Sequence, residues 1–265
     1  MRARNISLDT TLSCGQAFRW HKHGDKWHGV VSGKAIEVEQ EGNGLKHRGC
    51  SQRFLERYLA LDTDYSGLRR KARANKPLLR AMDKYPGLRI LRQDPWEALV
   101  SYLCSSNNSI PSIQRCVENI AMEYGPKADG AFSAYAFPKP EEMSRATEKK
   151  LRALKLGFRA PFVHDLIGLV NDAGWDVYGL GRLGYENAKK ELMTLHGVGE
   201  KVADCVCLFA YGFGEAVPVD VWARRACQKA LRCKSDDDIR VAMQKKFGAH
   251  AGWAQEYLYH YERNK

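Results

Sequence analysis

The sequence predicts an α+β fold in which a small, antiparallel, β-rich amino-terminal domain packs against a mostly helical domain. Residues 17–49 form short runs of aromatic and β-branched residues separated by turn signals, which favours a meander of strands. Beyond residue 94 the pattern is helical almost to the end. A block of strands followed by a block of helices is typical of an α+β fold with segregated parts. We place the boundary after residue 90, which gives domains of residues 1–90 and 91–265.

The individual elements follow from local pattern. Ile36 and Val38 alternate with two glutamates, as in a strand with one buried face, and Gly-containing turns lie on both sides. Residues 51–84 contain the helical stretches FLERYLALD and LRRKARANKPLLRAM. In the following helical half, Pro and Gly residues mark the breaks between helices.

The charge balance favours a polyanionic partner. Forty-two Lys and Arg residues against 31 Asp and Glu give a formal net charge of +11. Nucleic acid is the first candidate and an anionic membrane the second. The excess charge could also serve solubility alone, and composition leaves that alternative open.

We expect an intracellular protein, in the cytoplasm and nucleoid or in the nucleus, rather than a secreted or membrane-bound one. No apolar run approaches the ~20 residues needed to span a bilayer, and the start MRARNISLDTT lacks the apolar core of a secretory signal. Eight cysteines in 265 residues are too sparse for a disulfide scaffold, so we interpret them as thiols. Cys227 and Cys233 are too few to hold a zinc ion or an iron–sulfur cluster, so we expect neither cofactor.

The stretch LMTLHGVGEKVADCVCL, residues 192–208, predicts a helix, a tight turn and a second helix that begins near Gly199. Gly197, Val198 and Gly199 would expose backbone N–H groups at a helix amino terminus, where phosphate is attracted. Such a turn can grip a DNA backbone without reading its sequence. A compact connector between two helices is the alternative.

Lys201 and Asp220 are the candidate catalytic residues. Lys201 falls in the first turn of the second predicted helix, where the helix dipole opposes an ammonium group. Cys205 and Leu208 lie on the same helical face, so desolvation would also favour the neutral amine, which is the nucleophilic form. The alternative is a solvated lysine that pairs with phosphate. Asp220 precedes a helical stretch and fits an N-cap, which would also fix its carboxylate at the mouth of that helix.

Five separated blocks resemble the helix-hairpin-helix DNA glycosylases, and in particular the 8-oxoguanine DNA glycosylase branch. The blocks are LDTTLSCGQAFRW (residues 8–20), LRQDPWEALVSYLCSSNNSI (91–110), LKLGFRAPFV (154–163), LHGVGEKVADCVCL (195–208) and AGWAQEYLYH (251–260). They occur in the family's order and span nearly the whole chain. Related branches carry a four-cysteine iron–sulfur motif after the aspartate, and its absence here favours the oxidised-guanine branch.

The resemblance implies a bifunctional enzyme that acts as a monomer on double-stranded DNA containing oxidised guanine. The damaged nucleotide would be flipped out of the duplex. Lys201 would attack C1′, displace the base and form a Schiff base, through which β-elimination nicks the strand at the abasic site. Asp220 would stabilise the developing positive charge.

The resemblance also assigns the base-recognition residues, which are Gly15, Cys205, Pro218, Gln255 and Tyr259. Gly15 would offer its backbone carbonyl to the N7–H that only oxidised guanine has. Gln255 would read the Watson–Crick edge, while Cys205 and Tyr259 would sandwich the ring. Taken singly, Gly15 could equally be a bend at a strand start, Gln255 a surface amide and Tyr259 a core aromatic.

Further contacts follow from the same resemblance. Asn107 and Arg159 would contact the base opposite the lesion, and Phe158 would be wedged into the vacated stack. The backbone carbonyls of Met193, Leu195 and Val198 resemble the family's monovalent-cation site in the hairpin.

Three positions depart from the family pattern. Ser112 stands where relatives that require cytosine opposite the lesion have arginine, and Phe158 replaces a tyrosine wedge. Serine cannot reproduce the bidentate reading of a base edge by arginine, so we predict a relaxed opposite-base preference. Trp222 replaces a phosphate-binding histidine, so that contact is not carried over. A glycosylase for another damaged base and a non-catalytic helix-hairpin-helix DNA-binding protein remain the rival functions.

Overall fold

The computed structural model describes all residues except Arg2 and Arg4. The strands are β1 (Trp20–His23), β2 (Lys26–Val31), β3 (Lys34–Glu41), β4 (Gly44–Arg48) and β5 (Asp129–Gly130). The helices are α1 (Leu8–Ser13), α2 (Gln52–Tyr58), α3 (Ser66–Ala72), α4 (Lys76–Lys84), α5 (Pro95–Cys104), α6 (Ile110–Tyr124), α7 (Glu148–Leu151), α8 (Ala160–Asn171), α9 (Tyr185–Leu192), α10 (Glu200–Phe209), α11 (Val221–Leu231), α12 (Asp236–Phe247) and α13 (Ala251–Arg263). The predicted α+β fold is confirmed.

The amino-terminal sheet is an antiparallel meander with the order β1-β2-β3-β4, as the alternating pattern predicts. In the register, Trp27 pairs with Val38 and Gly29 pairs with Ile36. The side chains of Trp27, Ile36 and Val38 are buried in one hydrophobic cluster with residues of α1 and α2. The sheet therefore has one face in a small core of its own.

One strand was not predicted. β5 lies between α6 and α7, far along the chain, and pairs in parallel with the start of β3. Its two residues, Asp129 and Gly130, have no strand-like hydrophobic pattern, so only the tertiary contact reveals them.

A second, larger hydrophobic core lies among the helices. It includes residues of α3 and α4, such as Leu68, Leu78 and Met82, together with Trp96 of α5 and residues of α10 and α13. Helices α3 and α4 pack into this helical core although they lie before residue 90 in the sequence. The domain boundary after residue 90 stays a prediction.

Local capping explains where several helices begin. Asp94 accepts a hydrogen bond from the backbone N–H of Glu97 at 3.0 Å, and Pro95 occupies the first position of α5. Ser235 and Asp238 form a capping box at the start of α12. Within the described part of the chain, no helix combines the length and apolar character needed to cross a bilayer.

Candidate active site

The predicted hairpin is present as α9, a turn, and α10. Gly197 has φ +81°, and a Cβ built on it would lie 2.4 Å from the Phe162 ring. The turn is closed by the Val198 N–H, which donates to the Leu195 carbonyl at 3.1 Å. Gly199 is the exposed N-cap of α10 and has open space around it. The helix amino terminus therefore points outward with accessible N–H groups, as a phosphate grip requires.

Lys201 lies half-buried in the first turn of α10, at the wall of a cavity of about 580 Å³. Its Nζ donates to Ser105 Oγ at 3.0 Å and lies 5.4 Å from the centre of the Tyr102 ring. The two acids of α10, Glu200 and Asp204, form ion pairs with Lys189 and Arg240 and not with Lys201. Within the described residues, no carboxylate forms an ion pair with Lys201.

Asp220 lines the same cavity at the start of α11. Its Oδ1 accepts the backbone N–H of Ala223 at 2.7 Å, so the N-cap interpretation is confirmed. The cap holds the carboxylate at the cavity wall that also carries Lys201. The catalytic role of Asp220 stays a prediction.

The predicted base-recognition residues converge on this cavity. Its lining includes Gly15, Cys205, Pro218, Gln255 and Tyr259, which come from four separate places in the chain, since Gln255 and Tyr259 share α13. Gln255 is buried rather than a surface amide, and its Oε1 accepts no hydrogen bond from the residues that the structure describes. Burial raises the pKa of Cys205 to about 12, so this side chain is a neutral thiol that can pack against a ring.

Gly15 occupies a turn that only glycine fits well. Its φ is +98°, and a Cβ would lie 2.8 Å from both Arg263 Nη1 and Ile110 Cδ1. Arg263 Nη1 donates to the Cys14 carbonyl and to the Tyr259 hydroxyl, both at 2.8 Å. One arginine of α13 thus holds the glycine turn and the recognition tyrosine together.

The residues expected to meet the opposite base come together at the loop between α5 and α6, which carries Asn107, and at the start of α8, which Arg159 precedes. Asn107 is exposed at the cavity edge with φ +48°. Arg159 is buried and donates through Nε to the Ser106 carbonyl at 2.6 Å and through Nη2 to the Asn107 carbonyl at 2.7 Å. Its guanidinium lies 4.2 Å from the Phe158 ring centre, and Phe158 is 50% exposed. In the protein alone Arg159 therefore orders the loop, and the contacts of these residues with DNA stay predictions.

Ser112 lies in the first turn of α6, where its Oγ is 3.1 Å from Ser109 Oγ. Position 112 therefore offers a single hydroxyl and no guanidinium group. Trp222, in the first turn of α11, is 38% exposed at the cavity, and Arg225 lies 5.0 Å over its ring. A cation is thus present beside Trp222, the position at which the resemblance leads us to expect a phosphate-binding histidine.

The hairpin carbonyls proposed as cation ligands fit a cation chemically. The Leu195 carbonyl accepts the Val198 N–H, while the carbonyls of Met193 and Val198 accept no hydrogen bond from the described part of the chain. Carbonyl oxygens with free lone pairs are suitable donors for an alkali cation. Among the described residues there is also no group of three or more His, Cys, Asp or Glu side chains placed to hold a metal ion.

Three residues of the site escaped the sequence analysis, namely Ser105, Glu256 and Arg263. Ser105 is the hydrogen-bond partner of Lys201 from 96 residues away. Glu256 and Arg263 belong to α13. Glu256 directly follows Gln255, and Arg263 comes one helical turn after Tyr259. Their only sequence signal was this proximity to Gln255 and Tyr259, and the partners of Arg263 at Ser13 and Cys14 lie at the other end of the chain.

Comparison with known proteins gives two family matches that together cover most of the chain. Residues 1–99 match the 8-oxoguanine DNA glycosylase amino-terminal domain. Residues 100–248 match the HhH-GPD superfamily of base excision DNA repair proteins.

Individual relatives agree with these matches. An N-glycosylase/DNA lyase of Saccharomyces cerevisiae is 38% identical over 212 residues, which is 65% of this chain and only 56% of the yeast protein. The Clostridium acetobutylicum 8-oxoguanine glycosylase/lyase, solved with double-stranded DNA containing cytosine opposite 8-oxoguanine, superposes with a TM-score of 0.93 at 31% identity over 98% of this chain and 92% of that chain. MBOgg1, solved with a low-affinity DNA ligand, gives 0.94 at 32% identity over 99% and 94%. The chain therefore belongs to the 8-oxoguanine DNA glycosylase family of the HhH-GPD superfamily.

Proposed function

We propose that this protein is a bifunctional DNA glycosylase and abasic-site lyase that removes 8-oxoguanine from duplex DNA through Lys201. The observation that carries the proposal is the position of the Lys201 amine. It lies at a base-sized cavity that Asp220 also lines, and its hydrogen-bond partner is a hydroxyl, not a carboxylate. Such an amine can serve as a nucleophile, whereas a lysine locked in an ion pair could not.

The reaction balances with the residues present. A flipped nucleotide brings C1′ to the cavity wall. The Lys201 nitrogen bonds to C1′ and gives up a proton, while the C1′–N9 bond breaks and the base leaves with the bonding electrons and takes up a proton. Opening of the sugar ring gives a Schiff base, and loss of a C2′ proton then expels the 3′ phosphate by β-elimination. The Asp220 carboxylate offsets the positive charge that develops on the sugar.

The cavity wall supports recognition of an oxidised guanine. The free Oε1 of Gln255 is an acceptor, and the Watson–Crick edge of guanine presents N–H donors at N1 and N2. The glycine turn at Gly15 would present its backbone carbonyl to the N7–H of the oxidised base. An ordinary guanine has no hydrogen at N7 and would leave that carbonyl unpaired, at a cost of about 1–3 kcal/mol.

Opposite-base preference is proposed to be relaxed. Asn107 remains available beside the cavity, but Ser112 offers a single hydroxyl in place of a forked guanidinium. Without two parallel hydrogen bonds to one base edge, cytosine gains little over the other three bases.

The proposed partner is double-stranded DNA bound by a monomer, with the hairpin from Gly197 to Gly199 on the backbone and Phe158 in the vacated stack. A monovalent cation on the carbonyls of Met193, Leu195 and Val198 would stiffen that hairpin, and no iron–sulfur cluster is proposed. The protein would act in the compartment that contains the genome, which is the cytoplasm and nucleoid or the nucleus.

The test is an excision assay on matched duplexes that contain 8-oxoguanine, an alkylated purine or an oxidised pyrimidine. We expect release of 8-oxoguanine and strand nicking by the natural protein. Lys201→Gln should abolish both, because an amide cannot form a Schiff base. Lys190→Gln, an exposed lysine on the neighbouring helix α9, should keep both.

The rival functions give different results. Preferred release of the alkylated purine or the oxidised pyrimidine would make the protein a glycosylase for another lesion. Duplex binding with no base release and no nick would leave a non-catalytic DNA-binding protein.

A further inference from the structure

Glu256 is a buried acid in the wall of the cavity that holds Lys201 and Asp220. It follows Gln255 on α13, is 4% exposed and lines the cavity. Its Oε1 is buried and accepts no hydrogen bond from the residues that the structure describes. A buried polar oxygen without a partner is unfavourable in the free protein, and a ligand that pairs with it recovers that loss.

Among the residues that the structure describes, no cation forms an ion pair with Glu256. Arg263 is close enough to lower the pKa of Glu256, but its guanidinium donates to the carbonyls of Ser13 and Cys14 and to the Tyr259 hydroxyl. The other titratable groups that face Glu256 from the packed elements are Cys14, Tyr102, Cys205, Asp220 and Tyr259. These groups are an acid, two thiols and two phenols, so none supplies a counter-charge.

The carboxyl group is consequently held near the balance between its two forms. Burial raises the pKa of Glu256 to about 7, the Cys14 thiol and Arg263 lower it in part, and the nearby Asp220 raises it. Entry of a base would displace water from the cavity and favour the neutral acid further. The neutral acid carries an O–H donor, whereas the carboxylate can only accept.

We propose that Glu256 is a base-contacting residue that, as the neutral acid, donates a hydrogen bond to a carbonyl oxygen of the flipped oxidised purine. 8-Oxoguanine carries two such oxygens, at C6 and C8. This inference rests on the proposed function, because it needs that base in the cavity. It adds a third acid–base group to the site, with a task separate from the attack by Lys201.

This role of Glu256 predicts that excision becomes slower as the pH rises. Excision that requires the neutral acid is fully supported below the pKa of Glu256 and declines as the pH rises through that pKa, which is about 7 in the free protein and higher once a base has displaced water from the cavity. Glu256→Gln keeps a donor and an acceptor at every pH, so it should lose that decline. Glu256→Ala removes both groups at every pH.

The experiment measures single-turnover rates between pH 5.5 and 9 on two duplexes, one with 8-oxoguanine and one with a preformed abasic site. At pH 6 we expect Glu256→Gln to remain within about threefold of the natural protein, and Glu256→Ala to lose at least about tenfold more on 8-oxoguanine than on the abasic site. At pH 8.5 Glu256→Gln should be the fastest of the three. Glu262→Gln, which alters an acid of the same helix that pairs with Lys229 and Lys265, should keep the natural pH profile.

The outcomes separate this inference from the proposed function. If Glu256→Gln retains the natural decline above pH 7, or if Glu256→Ala slows both substrates equally, Glu256 does not donate to the base while the proposed function stands. If the natural protein cuts the abasic site but releases no 8-oxoguanine, the assigned substrate is wrong and this inference falls with it.

Discussion

At the scale of the residue, the reactivity of Lys201 depends on where its possible partners have gone. The two acids of α10, Glu200 and Asp204, pair with Lys189 and Arg240 and not with Lys201. The amine is left with the neutral hydroxyl of Ser105. The position of Lys201 in a first helical turn could be predicted locally, but its partner could not, because Ser105 is 96 residues away.

Ser112 gives the sharpest residue-scale prediction. The natural protein should excise 8-oxoguanine opposite C, A, G and T with rates that differ by less than about 100-fold, or about 2.7 kcal/mol. Ser112→Arg should raise the preference for cytosine by about tenfold or more, because a bidentate contact contributes about 1–3 kcal/mol of discrimination. Single-turnover rates on the four duplexes measure both quantities.

Ser109→Arg is the matched control, since it adds the same charge one helical turn earlier. It should change the four rates together. A natural protein that already prefers cytosine by more than about 100-fold would show that relaxed pairing is wrong.

At the scale of the element, the hairpin is the structure most completely predicted from sequence. Its apolar spacing and glycines are local signals, and the turn they predict is present between α9 and α10. The strand β5 shows the limit of such reasoning, because two residues without a pattern become a strand only by pairing with β3. Local periodicity determines helices and hairpins, whereas parallel pairing across the chain depends on tertiary contacts.

The two hairpin glycines should respond differently to alanine. Gly197→Ala places a Cβ 2.4 Å from the Phe162 ring at φ +81°, so we expect a loss of at least about 1 kcal/mol in the free energy of unfolding and weaker DNA binding. Gly199→Ala meets open space at φ −94° and should cost less, about 0.5 kcal/mol, because it only replaces glycine by a less favoured N-cap residue. Denaturant unfolding and duplex titration give the two values.

Equal losses of stability in both variants would contradict this account of the turn. The hairpin would then tolerate a side chain at Gly197, and the close approach to Phe162 would not constrain it.

At the scale of the whole molecule, the active site joins the two ends of the chain. Arg263 of α13 holds the turn at Gly15, 248 residues earlier, and α13 also supplies Gln255, Glu256 and Tyr259. The resemblance to known glycosylases identified most of these positions, but their convergence on one cavity is a property of the fold. The net charge of +11 agrees with a DNA partner without locating its binding surface.

The central claim is that the nitrogen of Lys201 bonds to C1′ of the damaged nucleotide. The most direct test is borohydride reduction during turnover on an 8-oxoguanine duplex, followed by proteolysis and mass spectrometry of the peptide that carries the sugar. We predict a single modified site at Lys201, and no adduct for Lys201→Gln. An adduct at any other residue, or excision without an adduct, would contradict the account.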